Sequence, residues 1–142
     1  MNHVHRRFQN PPSRSHDTVA EVIDRALADR RYEQAAIDAL VGVALADVDR
    51  VFIEHCCLKM GSSTSAGAAF LGVSALCLGH AARRFGRLSA EAIQLAGALA
   101  ARARHDPSDV SPNAVDGLGD ITWHLRRYKN RWHHGRHRVS SW

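Results

Sequence analysis

A long apolar run over residues 65–85 constrains the fold of this chain more than any other feature. Its second half, residues 72–83 (GVSALCLGHAAR), carries small or apolar side chains on nearly every side, so a helix formed there has no wide polar face. At about 20 residues the run just reaches across a bilayer, but His80, Arg83 and Arg84 lie at one end, and Ala, Gly and Ser dominate. The run therefore predicts the central helix of an all-α protein, with other helices packed on both flanks.

Composition agrees with one helical domain of ordinary size. Of the 142 residues, 45% are hydrophobic and 6% are aromatic, and no stretch keeps a strand-like alternation. The three cysteines, Cys56, Cys57 and Cys77, lie in apolar segments without metal-ligand spacing, which predicts buried thiols in a reducing compartment rather than disulfides. Residues 1–9 are basic and polar with no apolar run behind them, so we expect no signal peptide and a cytoplasmic protein.

Charge is distributed unevenly along the chain. The formal net charge is +5, yet all 14 carboxylates lie within residues 17–120, where only 10 Lys and Arg are found, so this segment carries −4. Three arginines precede it, and six Lys or Arg follow it. The pattern predicts an acidic folded body with basic ends, and an acidic body favours a basic partner.

Capping residues and apolar periodicity divide the chain into six helices. Thr18 and Glu21 have the spacing of a capping box and predict the start of the first helix. The second helix is predicted over residues 32–45. Asp47 or Asp49 is expected to cap the third.

Glycine and serine mark the remaining boundaries. Gly61 is expected to end the third helix in a left-handed conformation, and Gly86 to end the central helix, which begins at residue 64 or 65. Ser89 predicts the cap of the fifth helix. The last helix is predicted over residues 113–125, where the apolar periodicity ends.

A weak internal repeat indicates how these helices are arranged. Shifting the chain by 42 residues places Cys57 on Leu99 and Ala75 on Gly117, within the ~40–47 residue period of HEAT-type helix pairs. We therefore predict an all-α, HEAT-like α-solenoid of about six helices in three stacked antiparallel pairs. Its predicted divisions are a flexible N-terminal arm (1–16), a helical domain (17–125) and a basic C-terminal tail (126–142).

Five segments within residues 30–125 carry a family resemblance: AIDALVGVALAD (36–47), CCLKM (56–60), ALCLGHAARRFGRL (75–88), HDP (105–107) and AVDGLGDITWHL (114–125). They resemble a group of small bacterial HEAT-repeat proteins encoded beside contact-dependent inhibition and other polymorphic toxins, where some act as immunity proteins. The chain departs from the group at GSSTSAGA (61–68), where an Asp-Pro turn is usual, and at Gly117 and Gly119, which are expected to loosen the last helix. The resemblance implies a non-enzymatic immunity protein whose partner is the C-terminal domain of a cognate toxin.

The last helix offers the first candidate binding residues. With its apolar residues facing inward, Asp116, Asp120 and Trp123 at i, i+4 and i+7 share the opposite side. A tryptophan between two carboxylates can anchor a basic partner, and the alternative is that Trp123 packs against the tail while the carboxylates are solvated. Four further carboxylates at predicted turns are candidates for the same interface: Asp47, Asp49, Asp106 and Asp109.

The basic tail supports a second hypothesis, a nucleic-acid-binding module. Cations interleaved with aromatic residues suit phosphate contacts and base stacking, and the candidate residues are Arg126, Arg127, Lys129, Arg131 and Trp132. The alternative is that the tail is a solvated or toxin-contacting extension, which we favour because basic tails of this kind are common. We therefore rank nucleic acid below a protein toxin as partner. A scaffold for another helical protein is a third reading.

Catalysis and cofactors are not predicted. His133, His134 and His137 have a spacing that zinc sites use, but Gly135 interrupts them and no Cys or carboxylate lies nearby, so we expect no metal site. Cys77 beside His80 would need a lowered thiol pKa to act as a nucleophile, and we expect His80 to be a core histidine bonded to a backbone carbonyl. We therefore expect no enzyme activity, no cofactor and no membrane association.

Overall fold

A computed structural model describes residues 15–140, with side chains through Arg127. It contains six α-helices and one 3₁₀ turn, Arg30–Tyr32, and the described residues include no strand, so the all-α prediction is confirmed. The helices are α1 (His16–Ala28), α2 (Glu33–Ala46), α3 (Arg50–Gly61), α4 (Ala68–Phe85), α5 (Ala90–His105) and α6 (Asn113–Ser140). The predicted arm, residues 1–16, lies outside the described residues except for Ser15 and His16.

The helix N-termini show which capping residues operate. The Ser15 hydroxyl accepts the Thr18 N–H at 3.2 Å, so α1 begins earlier than expected and the predicted capping box at Thr18 is wrong. Asp49, rather than Asp47, caps α3 by accepting the Phe52 N–H at 3.1 Å. The predicted cap at Ser89 is confirmed, since its hydroxyl accepts the Ala92 N–H at 3.1 Å.

The two glycines predicted to end helices, Gly61 and Gly86, are required for different physical reasons. Gly86 ends α4 with a φ of 71°, the left-handed conformation that glycine adopts without steric cost. Gly61 does not have a positive φ, so the prediction of a left-handed end there is wrong. Instead it packs tightly, because a Cβ at Gly61 would lie 2.7 Å from Leu95 Cδ2 and 2.7 Å from Ser74 Oγ.

The six helices pack as three consecutive pairs. Each helix contacts the next one in sequence and the next but one, and within residues 15–140 the pair α1–α2 makes no contact with the pair α5–α6. The first helices of the pairs therefore form one layer, and the second helices form another. Contacts restricted to neighbouring pairs are typical of an α-solenoid, which agrees with the predicted architecture.

Helix α4 occupies the centre of this stack, as its composition predicts. It contacts α2, α3, α5 and α6, and only Ala69, Arg83 and Arg84 along its length are exposed. Phe70, Leu71 and Leu78 are among its fully buried side chains. No helix in the described part of the chain is long and apolar enough to cross a membrane.

Glycine allows α4 and α6 to approach each other closely. A Cβ at Gly117 would lie 2.3 Å from the Ala75 carbonyl oxygen, and one at Gly79 would lie 3.0 Å from the Gly117 oxygen. At the start of the contact, a Cβ at Gly72 would lie 2.6 Å from Ser111 Cβ. The sequence predicts that Gly117 loosens the last helix. Instead, Gly117 allows the backbones of α4 and α6 to come together.

Helix α6 continues well past its predicted end at Leu125 and reaches Ser140. The prediction followed apolar periodicity, which marks only the part of a helix that packs against a core. Beyond Leu125 the chain has no proline and several Arg and Lys residues, which are good helix formers. The division into a domain at 17–125 and a tail at 126–142 remains a prediction.

Replacing Gly117 with alanine tests the close contact. The new methyl group meets backbone atoms of α4, so we expect Gly117→Ala to destabilise the fold by about 1–3 kcal/mol or more. Gly119→Ala is the matched control: nothing lies within 4 Å of its Cβ position, and alanine in a helix stabilises by about 0.5–1 kcal/mol. Urea unfolding followed by circular dichroism measures both, and equal effects would contradict the packing role.

Candidate protein-binding face on the last helix

The part of α6 that packs on the core leaves its opposite side free. Ala114 and Ile121 are buried, and Leu118 and Leu125 pack against the core at its edge. On the other side Trp123 is 61% exposed, the most exposed aromatic side chain among the described residues. This exposure agrees with the hypothesis of a surface anchor. The alternative, packing of Trp123 against the tail, concerns side chains that lie outside the described part of the chain.

Two carboxylates precede Trp123 on the same side of α6. Asp116 is exposed and Asp120 is half-buried. Within the described residues, neither carboxylate accepts a hydrogen bond or forms an ion pair. We call Asp116, Asp120 and Trp123 the α6 face, and its negative charges are available to a partner.

The edge of the α6 face meets α4 at His80 and Arg83. Asp120 lies against Gly79, where a Cβ would be 3.0 Å from Asp120 Cβ. The His80 ring is half-buried, and its Nδ1 lies 3.5 Å from Arg83 Nη2. Sequence reasoning placed His80 in the core, whereas the structure places it beside the candidate face; its position at i+4 from Leu76, also half-buried, is the pattern of a helix edge.

The charge of His80 follows from these neighbours. Burial lowers the pKa of His80 below its ordinary value of 6.5, the Arg83 guanidinium lowers it further, and the Asp120 carboxylate acts in the opposite direction. The imidazole is therefore neutral at pH 7. The charged groups of the α6 face are therefore its two carboxylates, and the nearest positive charge on α4 is that of Arg83.

The four other predicted carboxylates are engaged within the chain. Asp47 accepts the Asp49 N–H at 2.8 Å and lies 2.9 Å from His16 Nε2, while Asp49 caps α3. Burial acts to raise the pKa of Asp47, but the Asp49 N–H and His16 outweigh it and lower that pKa. Both side chains therefore shape the α2–α3 turn.

The carboxylates of the α5–α6 turn act in the same way. Asp106 accepts the Ser108 N–H at 2.9 Å, and Asp109 accepts two hydrogen bonds of 2.9 Å from the Arg102 guanidinium. These hydrogen bonds lower the pKa of each aspartate. Exposed carboxylates in these roles remain accessible, but their positions are explained by the turns they close.

The buried thiols are unsuited to nucleophilic chemistry. Burial raises the pKa of Cys56 to about 11 and that of Cys77 to about 12, and it raises the pKa of Cys57 well above its usual range. Since the thiolate is the reactive form, these side chains stay protonated and unreactive at neutral pH. They contribute apolar volume to the core.

The remaining predicted residues fall at the end of α6. Arg126 and Arg127 are exposed, whereas the side chains of Lys129, Arg131 and Trp132 lie outside the described part, as do those of the three C-terminal histidines. Among the side chains that are described, no group of three or more His, Cys, Asp or Glu is arranged to hold a metal ion.

Comparison of the chain with protein-family models, with curated proteins and with solved structures finds no match. The resemblance to immunity proteins therefore stays a prediction.

The surroundings of His80 give a test of the face's geometry. Because the Asp120 carboxylate favours protonated His80, Asp120→Asn should lower the pKa of His80 further. Arg83→Gln should raise it, since the guanidinium disfavours the imidazolium. NMR titration of the His80 ring protons measures both shifts, and a pKa that moves the same way in both variants would contradict the arrangement.

Proposed function

We propose that this chain is a non-enzymatic immunity protein that binds a cognate toxin domain and occludes its active site. The observation that carries the proposal is Trp123, which is 61% exposed and follows, on the same side of α6, two carboxylates that have no partner within the described residues. Large aromatic side chains supply most of the binding energy at protein interfaces, and flanking charges select a partner of opposite sign. The face therefore suits a basic protein surface.

The position of the α6 face supports binding by a rigid surface. Helix α6 is the second helix of the last pair, so one side packs on α4 and α5 while the other remains open. Its close contact with α4 restricts its movement, which lowers the entropy cost of ordering an interface. A toxin domain could dock there without rearrangement of the core.

The charge of the face supports a nuclease as the toxin. Active sites that hold nucleic acid collect Lys and Arg around the phosphates. A surface with two carboxylates beside an aromatic anchor imitates that pattern of negative charge and would cover such a site. Toxins acting in the cytosol on nucleic acid are therefore the class we favour.

Protection during co-expression tests the proposal. The chain should protect cells from the C-terminal domain encoded by the neighbouring reading frame and form a complex with it. Trp123→Ala should weaken the complex by about 30-fold, a loss of about 2 kcal/mol, measured by calorimetry. Asp116→Lys combined with Asp120→Lys should abolish protection.

Glu21→Lys is the matched control, because it reverses an exposed carboxylate on α1, away from the face. It should leave both affinity and protection unchanged. Absence of a complex would refute the proposal, and a complex without protection would indicate a scaffold instead.

A nucleic-acid-binding module is the second candidate, and the length of α6 favours it. The helix extends to Ser140, and from residue 126 onward the chain contains six Lys or Arg and no carboxylate. A basic helix beyond the core offers a series of phosphate contacts. Exposed Arg126 and Arg127 begin that series.

Salt dependence separates the two candidates. If nucleic acid is the ligand, affinity for a fluorescent single-stranded oligonucleotide should fall steeply with salt, and Arg126→Glu with Arg127→Glu should flatten the slope by ~0.7 per lost phosphate contact. Trp123→Ala should leave that binding unchanged. Weak binding with no dependence on the arginines would exclude this function and leave the protein interface.

A further inference from the structure

A second surface, distant in sequence from the α6 face, lies where the α2–α3 turn meets the end of α4. Val48, Val51, Phe85 and Arg87 line a shallow depression there, together with Asp49 and Arg50. Val48 is 88% exposed and Val51 is 66% exposed, so two β-branched apolar side chains face solvent on one turn. We call Val48, Val51, Phe85, Arg84 and Arg87 the turn patch.

The arginines in and beside the turn patch are not equivalent. Arg50 is neutralised by Glu54, with which it forms an ion pair. Arg84 and Arg87 are exposed and form no direct ion pair with a carboxylate among the described residues, although the charge of Arg84 acts on the nearby Asp47 carboxylate. These two guanidinium groups therefore keep their capacity to bind an acid.

Arg84 is held in place by contacts within the chain. Its Nη1 donates to the Ala44 carbonyl at 2.8 Å, and its guanidinium lies 4.7 Å from the centre of the Phe85 ring. These contacts orient the side chain and leave other N–H groups available, so binding a carboxylate would cost little conformational entropy. The nearby carboxylates of Asp47 and Asp49 already accept backbone N–H groups.

From these observations we infer that the turn patch docks a short segment of another protein in which carboxylates stand beside bulky apolar side chains. Apolar side chains of the segment would cover Val48, Val51 and the Phe85 ring, and its carboxylates would pair with Arg84 and Arg87. The turn patch would therefore bind an acidic segment, whereas the α6 face suits a basic partner. The inference does not depend on the immunity function.

Neighbouring charges favour a protein segment over a polyanion. Asp49 lines the same depression, and its negative charge disfavours the dense, regularly spaced phosphates of nucleic acid or an anionic lipid surface more than a peptide whose few carboxylates can lie at Arg84 and Arg87. Phe85 lines the depression and is half-buried, so contact with its ring favours a side chain that protrudes into the depression, as a peptide side chain does, over a flat membrane surface.

Selection from a displayed library of short random peptides on the full chain tests the inference. Enriched peptides should combine carboxylates with bulky apolar residues. For a synthetic copy of the most enriched peptide, fluorescence anisotropy should show binding weakened about tenfold or more by Arg87→Glu and by Val51→Ser. Both residues are exposed, and circular dichroism checks that the variants fold.

Matched controls lie on α5. Arg104→Glu reverses an exposed arginine and Ile93→Ser removes an exposed apolar side chain, and both should bind like wild type. Trp123→Ala should also leave peptide binding intact, so failure of this inference is distinguishable from failure of the proposed function.

Several outcomes would overturn the inference. They are the absence of enriched peptides, enrichment of peptides without carboxylates, and equal binding by Arg87→Glu and Arg104→Glu. Sedimentation showing self-association that Arg87→Glu abolishes would assign the patch to a second copy of the chain. Binding to phosphatidylserine vesicles that Val51→Ser abolishes would assign it to a membrane surface.

Discussion

The close approach of α4 and α6 is the contact on which the rest of the structure depends. Because Gly117 has no side chain, the α6 backbone comes to the Ala75 carbonyl of the central helix, where a Cβ would be only 2.3 Å away. This contact fixes the rotation of α6 and so decides which of its residues face solvent. Because the side of α6 that carries Gly117 packs against α4, Trp123 and Asp116 are exposed and Asp120 lies beside His80.

Two glutamates join successive helix pairs. Glu33 on α2 accepts the Gly67 N–H at the start of α4, at 3.3 and 3.2 Å. Glu54 on α3, only 4% exposed, accepts the Ser89 N–H at 3.0 Å at the start of α5 and also pairs with Arg50. A buried carboxylate is costly unless it is paired and hydrogen-bonded. For Glu54 the ion pair comes from Arg50 on the same helix, and the hydrogen bond comes from Ser89 of the next pair. These bonds set the order of the stack.

The two surfaces that we assign to binding follow from this arrangement. Within the described residues one side of α6 has no neighbouring helix, so an acidic, aromatic surface stays open at one end of the stack. The α2–α3 turn projects next to the end of α4, so exposed valines meet arginines that have no acidic partner among the described residues. The opposite charges of the two surfaces imply that they select different partners, or different regions of one partner.

Local sequence determined the number of helices, the cap at Ser89, the left-handed end at Gly86 and the central position of α4, because these depend on nearby capping groups and on apolar periodicity. It also identified the side of α6 that carries Trp123. Only the tertiary structure decided that Gly61 and Gly117 serve close packing and that His80 lies at a surface edge. Asp47, Asp49 and Asp106 lie in turns, as their sequence positions predict, and accept backbone N–H groups two or three residues away. Glycine ends a helix at Gly86 and serves close packing at Gly61 and Gly117, and contacts distant in sequence determine which of these it does.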